Sequence, residues 1–333
     1  MRSIGRDAGL AAVGFTHAEP FEEVRVVLQE RKEQGLHGGM QFTYRNPERS
    51  TTPRRILDSA ETLIVGAWPY AAHPRSGDDA AGLRGAVAAF AWRDHYVALR
   101  AALETMAVPL RDQGFTCRIV ADDNALVDRA AAVRAGLGWA GKNSNVLLPG
   151  AGSWFVLGSI VTDAPYEVDE PIAEQCGSCR RCIDGCPTGA IVAEGVVDAR
   201  RCLAWLVQAE GDFPLEFRAA LGARLYGCDD CQTVCPPSGD EPADRIGDEV
   251  TSHDLVELLE LDDAALMARV GRWYIPRRDP RYVRRNALVA LGNTSVDDGE
   301  LRSKVRATLA RHAELGDPML AEHARWAATR WGD

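Results

Sequence analysis

The chain has 333 residues, 46% of them hydrophobic and 26% charged, and a formal net charge of -10. That length accommodates two or three domains, each with its own core, and the acidic balance argues against a protein that coats nucleic acid by overall charge. No apolar run nears the roughly 20 residues that span a bilayer, and MRSIGRDAGLAAVGF lacks the apolar core and cleavage site of a signal peptide, so a cytoplasmic protein with no membrane partner is expected.

In chain order, FEEVRVVLQERKEQGL has helical periodicity, and ETLIVGAWPY reads as a buried strand ending near Pro69 and Tyr70. HPRSGDDAAG, from His73 to Gly82, predicts a turn-rich loop. After AVAAFAW, the stretch HYVALRAALETMAVPLRDQG predicts a helix closed by Gly114. FTCRIVAD predicts a second buried strand ending at Asp122, and ALVDRAAAVRAG a helix with Gly136 at its C-terminus. NVLLP and SWFVLGSIVTD add two strands, so an α/β domain is expected over residues 1–165 of a multidomain chain of α+β/α/β class. A cysteine-rich module follows over 166–240, with a helix in ARRCLAWLVQAEG. Residues 241–333 open on an acidic linker and then read as helices: HDLVELLEL, DDAALMARV, RRNALVALGN, ELRSKVRATLARHAE and MLAEHARWAATRW. The last pair has the look of a helical repeat, with plain helical packing as the alternative.

Charge is unevenly distributed. Pro237 to Ala265 holds ten acidic residues against one arginine, whereas Arg269 to Arg285 holds seven arginines and one aspartate. The basic stretch is either a phosphate-binding footprint or a solvated surface.

Eight of the nine cysteines lie between Cys176 and Cys235. The first motif is Cys176-x2-Cys179-x2-Cys182-x3-Cys186-Pro187, and the second is Cys228-x2-Cys231-x3-Cys235-Pro236. Structural zinc draws one tetrahedron from two separated pairs, whereas this run is that of bacterial ferredoxins, whose fourth cysteine serves the other cluster. With Cys202 the thiolates number eight, enough for two [4Fe–4S] clusters. By the ferredoxin crossing pattern, Cys176, Cys179, Cys182 and Cys235 hold one cluster and Cys186, Cys202, Cys228 and Cys231 the other. Cys117 stands apart in a predicted strand and reads as a buried apolar residue.

Clusters move electrons singly, so a reaction centre is expected in the first 165 residues. Gly136-LGWA-Gly141-Lys142-Asn143 nearly matches the phosphate loop G-x4-G-K-[ST], but it lacks the metal-binding hydroxyl and follows a predicted helix, so nucleotide chemistry is not expected. Asp122, in ADDNALVDR, is either a strand-end or helix cap, or a general acid kept protonated by burial.

Six segments taken together resemble the epoxyqueuosine reductases in order and spacing: ADDNALVDRAAAVRAGLGWAGKNS, GSWFVLGSIVTD, CGSCRRCIDGCPTGAI, VDARRCLAW, YGCDDCQTVCP and RRNALVALGN. The resemblance implies a cobalamin-dependent reductase that converts epoxyqueuosine to queuosine at the wobble position of tRNA. It further implies an N-terminal cobalamin-binding domain, a ferredoxin-like module with two [4Fe–4S] clusters, and a HEAT-like helical tail that contacts the tRNA anticodon stem-loop. An external electron donor of flavodoxin or ferredoxin type and a monomeric state are expected with it. The family's proton-donating aspartate falls on Asp122, and Asp94 would assist or orient. Two positions depart from the family: its DYH motif meets Asp94-His95-Tyr96, and its CPWN meets Cys235-Pro-Pro-Ser238. Those departures leave open a small-molecule substrate, as in reductive dehalogenases; a pure electron-transfer protein is the third possibility. Position alone nominates Lys142, Asn143, Ser144, Val146, Leu157, Ala204, Asp229 and Asp230, with Asp122, as the corrin's surroundings; ordinary turn and strand packing is the competing reading. Arg277, Arg278, Arg284 and Arg285 would grip tRNA phosphates, and Trp273 and Tyr274 would stack on bases, unless core packing claims one of them.

Overall fold

A computed structural model of the chain describes residues 1–70, 82–238 and 250–332. The predicted loop at 73–81 and most of the acidic linker, 239–249, lie outside the described residues.

The main sheet is built from β1 (Ala12–His17), β2 (Thr62–Pro69), β4 (Cys117–Ala121) and β7 (Phe155–Thr162), in the order β1-β2-β7-β4. Every pairing in it is antiparallel, so the architecture is α+β and not a parallel α/β sheet. Strand β2 is buried over six consecutive residues because helices cover both faces. Ile64 points into the cluster formed with Leu99, Leu103, Met106 and Leu110 of the helix His95–Asp112. Leu63, Val65 and Ala67 point the other way, toward Leu28, Leu126, Ala131 and Ala132. Burying each of those leucines and isoleucines contributes about 1.5–3 kcal/mol.

The helix Asp128–Arg134 gives way to Gly136 at φ +66, where a Cβ would lie 2.6 Å from the Glu170 carbonyl. Only glycine fits this close left-handed turn. The chain then forms the small hairpin of β5 (Trp139–Ala140) and β6 (Val146–Leu147), as a strand reading of NVLLP anticipates.

A second sheet joins distant parts of the chain. Strand β3 (Arg84–Val87) lies between β10 (Arg224–Tyr226), which runs parallel to it, and β11 (Ser252–Asp254), which runs antiparallel. One continuous apolar core accordingly runs from Leu10 through Phe213 and Leu225 to Trp331. Between the sheets, the cysteine module contributes a short hairpin, β8 (Ile191–Ala193) with β9 (Val196–Val197), and the helices Arg181–Asp184, Leu203–Leu206 and Asp230–Thr233. The helix predicted in ARRCLAWLVQAEG is thus one turn, and the helix Leu215–Leu221 is an addition that the sequence reading lacks.

The C-terminal helices are Leu255–Glu260, Asp263–Arg269, Arg281–Gly292, Gly299–Glu314 and Pro318–Arg330. Aspartates Asp254, Asp262, Asp298 and Asp317 each cap one of them by accepting a backbone N–H at 2.8–3.0 Å. Each cap contributes about 1 kcal/mol, which gives part of the acidic excess a structural use. No helix among the described residues is long and apolar enough to cross a membrane.

Candidate active site and iron–sulfur module

None of the nine cysteines forms a disulfide. Cys117 is buried with Sγ 3.6 Å from Thr162 Oγ1, as a structural cysteine should be. Seven of the other eight fall into two groups. Cys186, Cys202, Cys228 and Cys231 stand close enough that their charges would oppose one another. Burial pushes the Cys228 thiol up to about 12, and burial with the nearby Cys228 and Cys202 holds Cys231 well above the usual thiol range. Cys182 is likewise raised by burial, with Cys176 and Cys179 as its sulfur neighbours. Cys235 follows Val234, which packs on Gly185 between the two halves of the first motif. Such crowded, desolvated thiols ionise when a metal centre takes them as ligands. One thiolate is already prepared: Ala190 N–H donates to Cys186 Sγ at 3.2 Å. Among the described residues, no three His, Cys, Asp or Glu side chains converge as they would on a single ion.

The loop after Gly136 docks this module onto the main sheet. Lys142 Nζ donates to Gly177 O at 2.6 Å and pairs with Glu194 at 2.8 Å. Asn143 Nδ2 donates to Cys231 O at 3.1 Å, and Ser144 Oγ donates to Gly195 O at 2.9 Å. A phosphate loop would keep its lysine available, so these bonds explain the near-miss motif as a structural latch. Nearby, Asp229 Oδ2 accepts Ala89 N–H at 2.7 Å, and burial pushes its carboxyl up to about 6. Asp230 forms a two-oxygen pair with Arg224, both contacts at 2.7 Å. Val146 is fully in the core, whereas Leu157 and Ala204 are half-buried. Of the nominated surroundings, the polar members therefore hold protein to protein.

Asp122 sits at the C-terminal end of β4 with φ 52, a left-handed conformation that aspartate tolerates but rarely adopts. Its side chain is half exposed. Burial biases the carboxyl toward its protonated form, opposed by Arg272 and Arg100 and reinforced by Asp94 and Asp123. Arg272 joins the two predicted aspartates: its Nε lies 3.2 Å from Asp94 Oδ1 and its Nη2 3.6 Å from Asp122 Oδ2. The guanidinium also lies over the Tyr96 ring, 5.1 Å from its centre. Asp94 additionally caps the helix His95–Asp112 by accepting Tyr96 N–H at 3.1 Å. In the altered motif, His95 turns inward against Tyr70, and burial lowers it to about 4, so Tyr96 and not the histidine faces Arg272.

Sequence reasoning missed Arg272 and Asp128. Arg272 is 150 residues from Asp122, and nothing local marks their meeting. Asp128 was visible as the third acidic residue of ADDNALVDR; its Oδ1 is buried without a protein partner, and burial with the nearby Asp122 holds its carboxyl well above the usual range.

The basic segment divides. Arg285 is completely buried and donates to the carbonyls of Leu206 at 3.0 Å, Ala209 at 2.8 Å and Gly211 at 2.5 Å, so it cannot grip a phosphate. Arg284 is nearly as enclosed, held by Asp263 at 2.6 Å and Leu261 O at 2.8 Å. Both expectations are therefore corrected: the alternation that places these residues on a packed helix outweighs their charge. Arg277 and Arg278 remain exposed, on consecutive left-handed backbone positions at φ 52 and 54. Arg277 pairs with Glu210, and Arg278 donates to Trp273 O at 3.0 Å. Trp273 is buried and stacks on Tyr226 at 4.3 Å, while Tyr274 is 56% exposed. Core packing has claimed the tryptophan.

Residues 175–238 match the family model of the 4Fe-4S double cluster binding domain. The epoxyqueuosine reductase of Vibrio cholerae is 35% identical over 336 residues, covering 96% of this chain and 88% of the relative. A crystal structure of epoxyqueuosine reductase with an epoxyqueuosine-modified tRNA-Tyr stem loop superposes with a TM-score of 0.88 at 30% identity, covering 99% of this chain and 89% of that one. The Bacillus subtilis enzyme, solved with its catalytic aspartate loop swung out of the active site, gives 0.86 at 30% identity over 99% and 89%. With a two-cluster module, matched sequence along nearly the whole length and a shared fold, the chain belongs to the epoxyqueuosine reductase family.

Proposed function

We propose that this chain reduces epoxyqueuosine in tRNA to queuosine. The observation that carries the reading is the likeness, over 99% of the chain, to a reductase holding an epoxyqueuosine-modified stem loop. In that reaction both carbon–oxygen bonds of the epoxide break and a carbon–carbon double bond forms. Two electrons and two protons are consumed, and the oxygen leaves as water. The relatives named for epoxyqueuosine give the small-molecule alternative no support.

Two [4Fe–4S] clusters bring the electrons, in line with the matched double-cluster module. Their proposed ligands are Cys176, Cys179, Cys182 and Cys235 on one, and Cys186, Cys202, Cys228 and Cys231 on the other; the proximity of the second set supports this division. An external donor of flavodoxin or ferredoxin type would reload them.

The cobalamin reading is supported by hydrogen-bonding capacity left over around Asp122. Asp128 Oδ1 and Ser159 Oγ are buried without protein partners, and Ser159 lies opposite Val120, two residues before Asp122. A corrin rimmed with amides suits such a surface, with Leu157 and Ala204 as apolar wall and Lys142, Asn143 and Ser144 fixing the loop behind it. When bound, cobalamin supplies a cobalt centre that accepts electrons singly and acts on a carbon–oxygen bond.

Asp122 gives a proton to the departing oxygen. Burial favours its protonated form, and its half-exposed side chain is open to a substrate. The swung-out aspartate loop of the Bacillus subtilis relative suggests that the loop beginning at Asp122 closes on the nucleoside. Arg277 and Arg278 contact tRNA phosphates, and Tyr274 stacks on an unpaired base. In this scheme residues 1–165 carry the reaction centre, 166–240 the clusters, and the HEAT-like helices of 241–333 the tRNA. Expressing the chain in a bacterium deleted for its own epoxyqueuosine reductase tests the proposal: queuosine should reappear in tRNA, and persistence of epoxyqueuosine with soluble, cluster-loaded protein present would refute it.

A further inference from the structure

Asp122 lies on a strand end and Arg272 on a turn 150 residues later, yet the two meet, and three features make Arg272 the fixed member of the pair. Its neighbour Trp273 is buried against Tyr226 at 4.3 Å, and Tyr274 N–H donates to Tyr226 Oη at 2.8 Å. Arg278 holds the Trp273 carbonyl at 3.0 Å. The guanidinium itself is anchored by Asp94 at 3.2 Å and by the face of Tyr96, both at the start of the helix His95–Asp112. Asp122, by contrast, is half exposed at the start of an irregular loop; Arg100 donates to the Ala121 carbonyl just before it.

We infer that Arg272 is a positioning residue for the acid: anchored by Asp94 and Tyr96, its guanidinium holds the Asp122 carboxyl in one orientation. The inference rests on the reading of Asp122 as proton donor. Ionisable groups facing Asp122 come from every element around it. They are Arg272 on the turn, Asp94, Tyr96 and Arg100 on and before the helix, Asp123 and Asp128 in its own loop, and Tyr226 on β10. Of these, Arg272 and Arg100 favour the carboxylate, and the aspartates oppose it.

The consequence is a pair of opposite shifts. An acid must be protonated to act, so activity falls as pH rises through the Asp122 pKa. Arg272→Gln removes a charge that lowers that pKa, and moves the falling limb to higher pH by about half to one unit. Asp94→Asn, which can still cap the helix, removes a charge that raises it and leaves the guanidinium to Asp122 alone, and so moves the limb to lower pH.

The test is the pH profile of single-turnover reduction by reduced, cobalamin-loaded protein of wild type, Arg272→Gln, Arg272→Lys and Asp94→Asn. Infrared titration with carbon-13 aspartate reads the Asp122 carboxyl directly, its band assigned by loss in Asp122→Asn. Opposite shifts for Arg272→Gln and Asp94→Asn, with Arg272→Lys near wild type, are expected in both readouts. A slower Arg272→Gln enzyme whose limb and carboxyl band stay in place would overturn the inference, since a merely structural residue behaves that way. Should Asp122→Asn remain fully active, the acid role fails instead, while the infrared shifts still report whether the clamp exists. If Arg272→Gln does not fold, the Asp94→Asn shift decides, and its absence is a refutation.

Discussion

Arg285 offers the sharpest separation between a tRNA contact and a structural staple. Its charge sits in the interior and makes hydrogen bonds to Leu206 O, Ala209 O and Gly211 O, and to Asn286 Oδ1 at 2.9 Å. Burial lowers the guanidinium to about 10, still charged at neutral pH. Asn286 continues the staple with bonds to Val207 O at 2.8 Å and Leu225 O at 3.3 Å. Together they tie the helix Arg281–Gly292 to the segment just after the proposed ligand Cys202. Arg285→Met keeps the apolar stem but leaves these carbonyls without their donor. Each buried group so orphaned costs about 1–3 kcal/mol. Ala209 and Gly211 lie near the surface, where water replaces part of the loss, whereas Leu206 is enclosed. The sum is about 3–5 kcal/mol of stability, within the range for breaking a buried charged network. Anaerobic urea unfolding followed by fluorescence and by cluster absorbance measures it, with midpoints compared because a cofactor-bearing chain need not unfold in two states. The folded fraction should bind tRNA with unchanged affinity and salt dependence. A variant of wild-type stability whose tRNA binding is weaker and less salt-sensitive would refute the reasoning.

Arg277→Gln with Arg278→Gln should do what Arg285→Met does not: lower tRNA affinity and flatten its log–log salt slope by about 0.7 to 0.9 per arginine. Cys202→Ser should cost one cluster, halving the iron of the anaerobically purified protein, while Cys117→Ser leaves the iron unchanged. Asp128→Asn should stabilise the protein at neutral pH. The folded carboxyl has a raised pKa, so ionisation penalises the fold above the unfolded pKa, and the advantage of the variant should fade as pH falls toward the ordinary aspartate range. Asp122→Asn should keep clusters and corrin and lose turnover by about 10²–10⁴-fold.

Legibility followed the range of the interactions. The eight clustered cysteines were readable because ligand spacing is a local pattern, and β2 and β7 because strands buried on both faces form unbroken apolar runs. The antiparallel pairing of those same runs was not readable, since burial on two faces looks alike in either direction. Arginine charge misled at Arg284 and Arg285, where the helix turns the side chains toward backbone carbonyls, in the second case 74 to 79 residues upstream. Arg272 remained hidden because only the meeting of β3, β10 and β11 brings its turn to Asp94 and Asp122. Lys142 shows the converse: a local motif resembling a phosphate loop is resolved by its partners Gly177 and Glu194.

The central claim, that this fold turns cluster electrons into loss of one oxygen from a tRNA nucleoside, is tested most directly by mass. Reduced, cobalamin-loaded protein is incubated without air with tRNA carrying epoxyqueuosine, and the digested nucleosides are weighed. The account predicts a nucleoside lighter by one oxygen atom, at queuosine, from the wild type and not from Asp122→Asn. Epoxyqueuosine returned unchanged by wild-type protein that carries both clusters and the corrin would contradict it.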